Sequence, residues 1–249
     1  MTATPRFVEL AEVDSTNAEA LRRAVAGERG PLYIRADRQT SGRGRSGRSW
    51  ETAAGNLALS RLGTLACEPV AVPQLSLVAG VAVHGAVSDL LEGNARAAGL
   101  SLKWPNDLLL EGAKVAGILV EATTIGSARV AVIGIGVNLA HAPEIANRAT
   151  AALADATRRS ISPAATARHV AGRLEHALQL WDGGAGFATI RAAWLAAATP
   201  PGTRLAINTG RGTAAGVFAG LAPDGALLLD VDGGERQTFS VGDVALIAG

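Results

Sequence analysis

Thr199-Pro200-Pro201-Gly202 is the feature that most limits how this 249-residue chain can fold. Two successive prolines fix their own φ and supply no backbone N–H, so neither a helix nor a central strand runs through them. The sequence changes character at that point. After it come short strand-like runs parted by glycines: Thr203 to Ile207, Gly212 to Leu221, Gly225 to Val231, Arg236 to Phe239 and Val244 to Ile247. This spacing predicts a small β-barrel over residues 200–249, behind a larger domain of residues 1–199.

The larger part mixes helical and strand periodicities. Thr16 with Glu19 three residues on fits a capping box, and Leu21, Ala24 and Val25 continue one helical face. Leu32 to Ile34 reads as a strand entering a polar loop, Ala36 to Trp50, and Asn56 to Leu62 reads as another strand. From Pro73 to Leu91 apolar residues recur at helical spacing round most of the circumference, which predicts a buried helix. Strands are expected at Leu100 to Trp104, Val115 to Glu121 and Arg129 to Leu139, with tight links at Gly112 and Gly126. Helices are expected at Pro163 to Leu180 and Phe187 to Ala197. No internal repeat is evident.

Hydrophobic residues at 48% and charged residues at 18% give a globular balance. A net charge of +1 argues against a general nucleic-acid or membrane-surface binder, which needs a basic face. The single cysteine, Cys67, excludes a disulfide framework or a cysteine-based zinc site and suits a reducing compartment. The apolar region Val70 to Leu91 is interrupted by Gln74, His84 and Asp89, and Met1 to Asp14 has no continuous apolar core. A cytoplasmic protein without a membrane span or secretory signal is expected. The four histidines lack metal-ligand spacing.

Three segments carry the chemistry. Between Arg35 and Arg48 five arginines face one acid, Asp37, so positive charge is concentrated in a stretch that also holds Gly42, Gly44 and Gly47. Glycine allows close backbone approach, at the cost of high entropy in the free loop, and arginine forks onto phosphate or carboxylate. This combination suits a loop that closes over an anion; a solvated basic loop is the plainer alternative. Gly42 to Gly47 also fits G-x-G-x-x-G, but a polar run precedes it and Ser49 to Gly55 is a poor helix start, so a dinucleotide turn is rejected.

Lys103-Trp104-Pro105-Asn106-Asp107 and Lys114-Val115-Ala116-Gly117-Ile118-Leu119-Val120-Glu121 form the second segment. Lys103 and Lys114 are the only lysines among 23 basic residues, which suggests that a compact charge is needed there. A strand-flanking lysine reaching to water is the competing account. The third segment is Ile133-Gly134-Ile135-Gly136-Val137-Asn138-Leu139, where two glycines in an apolar strand imply close approach by a ligand or another part of the chain. A buried structural Asn138 is the alternative.

Asp14-Ser15-Thr16-Asn17, Gln39-Thr40-Ser41-Gly42-Arg43-Gly44-Arg45 and these segments together resemble the motif set of biotin protein ligases, in that family's order between residues 14 and 139. The resemblance implies an α+β fold: a catalytic domain of the class II aminoacyl-tRNA synthetase and biotin ligase type, with a mixed, largely antiparallel sheet, followed by an SH3-like β-barrel. It implies that ATP and biotin yield biotinyl-5′-AMP and pyrophosphate. The biotinyl group then passes to a lysine of a biotin carboxyl carrier domain of a biotin-dependent carboxylase, such as acetyl-CoA carboxylase.

By matching positions, Ser15, Thr16, Asn17, Gln39, Arg43, Gly44, Arg45, Lys114 and Gly117 would bind biotin. The nucleotide would meet Arg43, Arg45, Arg48, Trp50, Trp104, Asn106, Lys114 and Asn138. Lys114 and Arg45 would be catalytic, and Asp107 would help hold Mg2+. With 13 residues before the first motif, a form without the N-terminal DNA-binding domain is expected, and no DNA partner. A lipoate or octanoate protein ligase of the same fold and a non-catalytic biotin or nucleotide sensor are the rival readings.

Overall fold

Proline and glycine punctuation and two apolar periodicities divide the chain into alternating strands and helices. The computed structural model describes residues 5–93, 98–146, 148–210 and 212–247. In chain order the elements are β1 (Arg6–Val13), α1 (Thr16–Val25), β2 (Leu32–Gln39), β3 (Leu57–Thr64), α2 (Gln74–Leu90), β4 (Leu100–Lys103), β5 (Asp107–Leu110), β6 (Ala113–Ile125), β7 (Ala128–Val137) and α3 (Leu153–Thr157). Then follow α4 (Pro163–Trp181), α5 (Phe187–Ala197), β8 (Arg204–Asn208), β9 (Thr213–Leu221), β10 (Leu227–Val231), β11 (Arg236–Phe239) and β12 (Asp243–Leu246).

The main sheet has the order β1-β2-β3-β7-β6-β5-β4. The β1–β2 pair is parallel and every other neighbouring pair is antiparallel, so the sheet is mixed as expected. Tight links come where φ is positive: Glu111 and Gly112 turn β5 into β6, and Gly126 lies between β6 and β7. Beyond Gly202 the strands pair antiparallel in the order β11-β10-β9-β8-β12, giving a five-stranded sheet.

Alternation then sorts residues onto the two faces of the main sheet. On β7, Ala131, Ile133, Ile135 and Val137 join the main core under α2, α4 and α5, whereas Val130 and Val132 pack against Ala20 and Ala24 of α1. Continuing along that second face, the next two positions are Gly134 and Gly136. Apolar side chains therefore fill the end covered by α1, and glycines leave room at the other. The fold makes its cavity by omission.

Helix α2 buries Leu75, Val78, Val83 and Val87 among others, each worth about 1.5–3 kcal/mol on transfer from water. By length and composition Pro69–Leu90 is apolar enough to cross a membrane, yet more than half of it is buried inside the protein, as the core helix of the sheet.

Three local expectations change. Phe7, Val8 and Leu10, interrupted by Glu9, lie in a full strand, β1, whose neighbour β2 extends to Gln39 and so takes in the first part of the expected loop. Ser15, not Thr16, caps α1, its Oγ accepting from Ala18 N at 3.4 Å, while Glu19 pairs with Arg22 and Arg23 instead of closing a capping box. Trp104-Pro105-Asn106 is the turn of a β4–β5 hairpin, with a cis bond before Pro105. The short helix α3 had no clear sequence signal.

Candidate active site

Most of the candidate residues line one cavity of about 570 Å³ on the glycine-bearing face of the main sheet. Its floor is Ala58 of β3, Gly117 and Leu119 of β6, and Gly134 and Gly136 of β7. A Cβ at Gly134 would collide with the Asn17 amide, and one at Gly136 with the Trp50 indole. The close approach that these glycines permit is thus to two side chains of the same chain.

The N-terminus of α1 closes one end of the cavity with Ser15, Thr16 and Asn17, all buried. Gln39 Oε1 accepts from the Thr16 backbone N at 2.8 Å and from its hydroxyl at 3.1 Å, and Gln39 Nε2 donates to Thr52. Ser60 Oγ lies 2.5 Å from Asn17 Oδ1 and 2.7 Å from Thr16 Oγ1. Asn17 Nδ2 donates to Glu121 Oε2 at 2.7 Å. Both ends of the Asn17 amide are therefore fixed, a preorganised polar pocket in a low-dielectric setting.

The glycine–arginine segment forms a hairpin over the cavity. Gly44 N donates to Arg48 O and Trp50 N to Gly42 O, with a single 3-10 turn at Arg45–Gly47 between. No helix follows the G-x-G-x-x-G match, in keeping with its rejection as a dinucleotide turn. Arg45 Nη1 reaches Asn106 Oδ1 at 3.3 Å, and Arg43 lies 3.5 Å from Glu121.

Lys114 owes its place to a bulge. Across the β5–β6 pair Leu108 faces Ala116 and Leu109 faces Lys114, so Val115 is an extra residue. Strict alternation would set Lys114 and Gly117 on opposite faces; the bulge brings them to the same one. The Lys114 ammonium lies 5.4 Å from the centroid of the Trp50 ring, within cation–π range, and is ion-paired with Asp107. Burial pushes the lysine below its ordinary pKa, Asp107 opposes that, and Arg148 and Lys103 add to it.

Asp107 also pairs with Lys103 at 2.9 Å. Burial disfavours its charge, but the two ammonium groups outweigh this and hold it at about 2. Its oxygens are engaged by lysines, and among the described residues no three His, Cys, Asp or Glu side chains group together as a metal site. The expected role of Asp107 as a magnesium ligand does not fit this donor set.

Trp104 also departs from expectation. It is buried outside the cavity lining, its Nε1 donating to Gly225 O at 3.1 Å, and so joins the main sheet to the C-terminal sheet. Asn138 is in the cavity wall. Its Nδ2 donates to Ala151 O at 3.1 Å, while its buried Oδ1 has no partner. A buried acceptor left open in a cavity wall is suited to a ligand donor.

Ser60, Glu121 and a stretch with Pro143, Glu144, Ile145, Ala146, Arg148 and Thr150 were not singled out from sequence as site residues, yet Ser60 and Glu121 orient Asn17 and those six residues line the cavity. Lys114 N donates to Ala149 O at 2.8 Å, and Ala151 N to Lys114 O at 3.0 Å, tying that segment to the lysine's own backbone. A serine after Leu57-Ala58-Leu59 in the expected strand Asn56 to Leu62 was the available signal.

Comparison with known proteins agrees with this architecture. Residues 10–138 match the model of the biotin/lipoate A/B protein ligase family, and residues 202–246 match the biotin protein ligase C-terminal domain. A biotin–[acetyl-CoA-carboxylase] ligase of Paracoccus denitrificans is 41% identical over 94% of this chain and 98% of its own length. One from Mycobacterium tuberculosis is 33% identical over 94% and 86%. The structure of an Aquifex aeolicus biotin protein ligase in complex with biotin and ATP superposes with a TM-score of 0.81 at 27% identity, covering 98% of this chain and 99% of that one. The chain belongs to the biotin/lipoate A/B protein ligase family.

Proposed function

We propose that this chain is an ATP-dependent biotin protein ligase. A biotin carboxylate oxygen attacks the α-phosphorus of ATP; the new O–P bond forms as the bond to pyrophosphate breaks, leaving biotinyl-5′-AMP. A lysine amine of a biotin carboxyl carrier domain then attacks the acyl carbon and AMP leaves. The observation that carries this reading is the Lys114 ammonium, its side chain only 12% exposed, held by Asp107 and Trp50 in a cavity shared with Asn17 and Arg45.

The first step joins two anions. A positive charge fixed between them lowers their repulsion and holds the attacking oxygen in line, and Lys114 has the position and charge for this. Its ion pair and the Trp50 ring hold the ammonium without reorganisation. The network of Ser15, Thr16, Asn17 and Gln39 takes the ureido end of biotin, with Arg43 and Gly44 above it and Gly117 below. Asn106, Asn138 and Arg48 serve the nucleotide. Arg45 and its hairpin exclude water from a mixed anhydride that would otherwise hydrolyse. Magnesium, on this reading, arrives on the triphosphate of ATP and not on a protein carboxylate.

In the second step the acceptor lysine, with a reference pKa of about 10.4, must attack as the neutral amine. We assign residues 1–199 to catalysis and 200–249 to a second unit packed against it through Trp104. The single cysteine and the use of ATP suit a cytoplasmic setting. The decisive experiment supplies labelled ATP with biotin, or with lipoate, and a carrier domain. Biotin-dependent pyrophosphate exchange and carrier labelling support the reading; exchange with lipoate alone refutes it.

A further inference from the structure

At the start of β12 three consecutive residues reach the arginine hairpin and the β4–β5 hairpin. Gly242 O accepts from Arg45 Nη2 at 3.3 Å. The Asp243 carboxylate accepts from Arg48 Nη2 at 2.9 Å and lies 3.8 Å from Arg45 Nη1. Val244 O accepts from Lys103 Nζ at 2.6 Å, the same ammonium that pairs with Asp107. The backbone here is fixed. Gly242 has φ 153°, and a Cβ on it would strike the Ile207 side chain.

We propose that Asp243 is the latch of the arginine hairpin: a positioning residue, on a separate sheet from the cavity, that holds Arg45 and Arg48 down and so sets how long the adenylate is retained. The inference rests on the reading of the cavity as an adenylate-forming site. A hairpin with glycines at 42, 44 and 47 loses much entropy on closing, and an anchor outside it biases it toward the closed arrangement before ligand arrives. The anchor is weak enough to open. Both members of the Asp243–Arg48 pair are partly exposed, and such pairs contribute little. Guanidinium groups have five donors, so each arginine keeps N–H groups for a ligand while Asp243 holds it.

The same contacts would serve an opposite role if Asp243 shielded the arginines from anionic substrates. The two roles differ in sign. The test compares wild type with Asp243→Ala, Asp243→Asn and Asp243→Glu in the full-length protein, by two measurements. One is the rate of trypsin cleavage after Arg43, Arg45 and Arg48 without ligand, against cleavage after Arg204 and Arg236 in the C-terminal sheet. The other is the rate at which preformed biotinyl-5′-AMP is released.

A latch predicts hairpin cleavage and adenylate release each about two- to fivefold faster in the alanine and asparagine variants, cleavage after Arg204 and Arg236 unchanged, and recovery in the glutamate variant. Slower release, or unchanged release with unchanged hairpin cleavage, overturns it. Uniformly faster cleavage at all these arginines in both variants also overturns it, since Asp243 would then serve folding alone. Failure of wild type to make any adenylate defeats the functional reading, while the trypsin measurement still judges the latch.

Discussion

The carboxylate of Asp107 and the ammonium of Lys114 form an ion pair between facing strands, both almost out of reach of solvent. Taking two charges out of water is costly, and such a pair is more often neutral for stability than favourable. What it provides here is a cation that cannot leave the cavity wall.

That arrangement makes Asp107 the more fragile partner. Asp107→Asn leaves Lys103 and Lys114 buried without a counter-charge and should lower unfolding free energy by about 3–5 kcal/mol in urea titration. Lys114→Ala leaves Asp107 paired with Lys103, so its stability loss should be distinctly smaller. Equal losses would contradict this division of labour.

Acid should find the same weak point. The Asp107 pKa of about 2 in the folded state lies below the value near 3.9 of an unfolded chain, so falling pH protonates the unfolded state first. Its contribution to stability is full above about pH 4 and drains away as the pH falls toward 2. In Asp107→Asn that acid-dependent loss should be missing from the stability–pH curve.

At the alkaline end the sign concerns activity. Burial lowers the Lys114 pKa, so its ammonium, and with it adenylation, should be lost at a lower pH than an ordinary lysine near 10.4 allows. Lys114→Arg keeps its charge throughout that range, and its residual pyrophosphate exchange should lack the alkaline decline. The same decline in both proteins would place it on another group.

Glycines 134 and 136 separate the two ends of the cavity. Gly134→Ala drives a methyl into Asn17 and Gly136→Ala drives one into Trp50. Overpacking of about 1–3 kcal/mol, directed at a ligand pocket, corresponds to roughly ten- to hundredfold weaker binding. Gly134→Ala should weaken biotin binding first and Gly136→Ala should act first on ATP, as read by titration of each ligand.

Much of this site was legible because its chemistry lies in short contiguous stretches. Ser15 to Asn17 announce a helix start, Gly42 to Arg48 a cationic loop, and the lone lysines a place where compact charge matters. Asp107 faces two lysines and Trp104 lies outside the cavity lining for one reason: a motif shows which residues lie together in the chain and not where each side chain goes. The Trp104–Pro105 turn sends Trp104 to Gly225, 121 residues away, and the β6 bulge turns Lys114 back toward Asp107. Ser60 and Glu121 act through tertiary contacts with Asn17, and Ala149 through one with the Lys114 backbone, which no local pattern announces. The strand β1 was equally hard to delimit, because its apolar residues Phe7, Val8 and Leu10 are interrupted by Glu9 and its extent is set by parallel pairing with β2.

Biotin-dependent ATP–pyrophosphate exchange by Lys114→Ala tests the central claim most directly. With the fold verified by circular dichroism, the account predicts a fall of about 10²–10³ in exchange rate, the cost of removing one preorganised charge from a developing transition state. Exchange near the wild-type rate in a folded Lys114→Ala protein would contradict it.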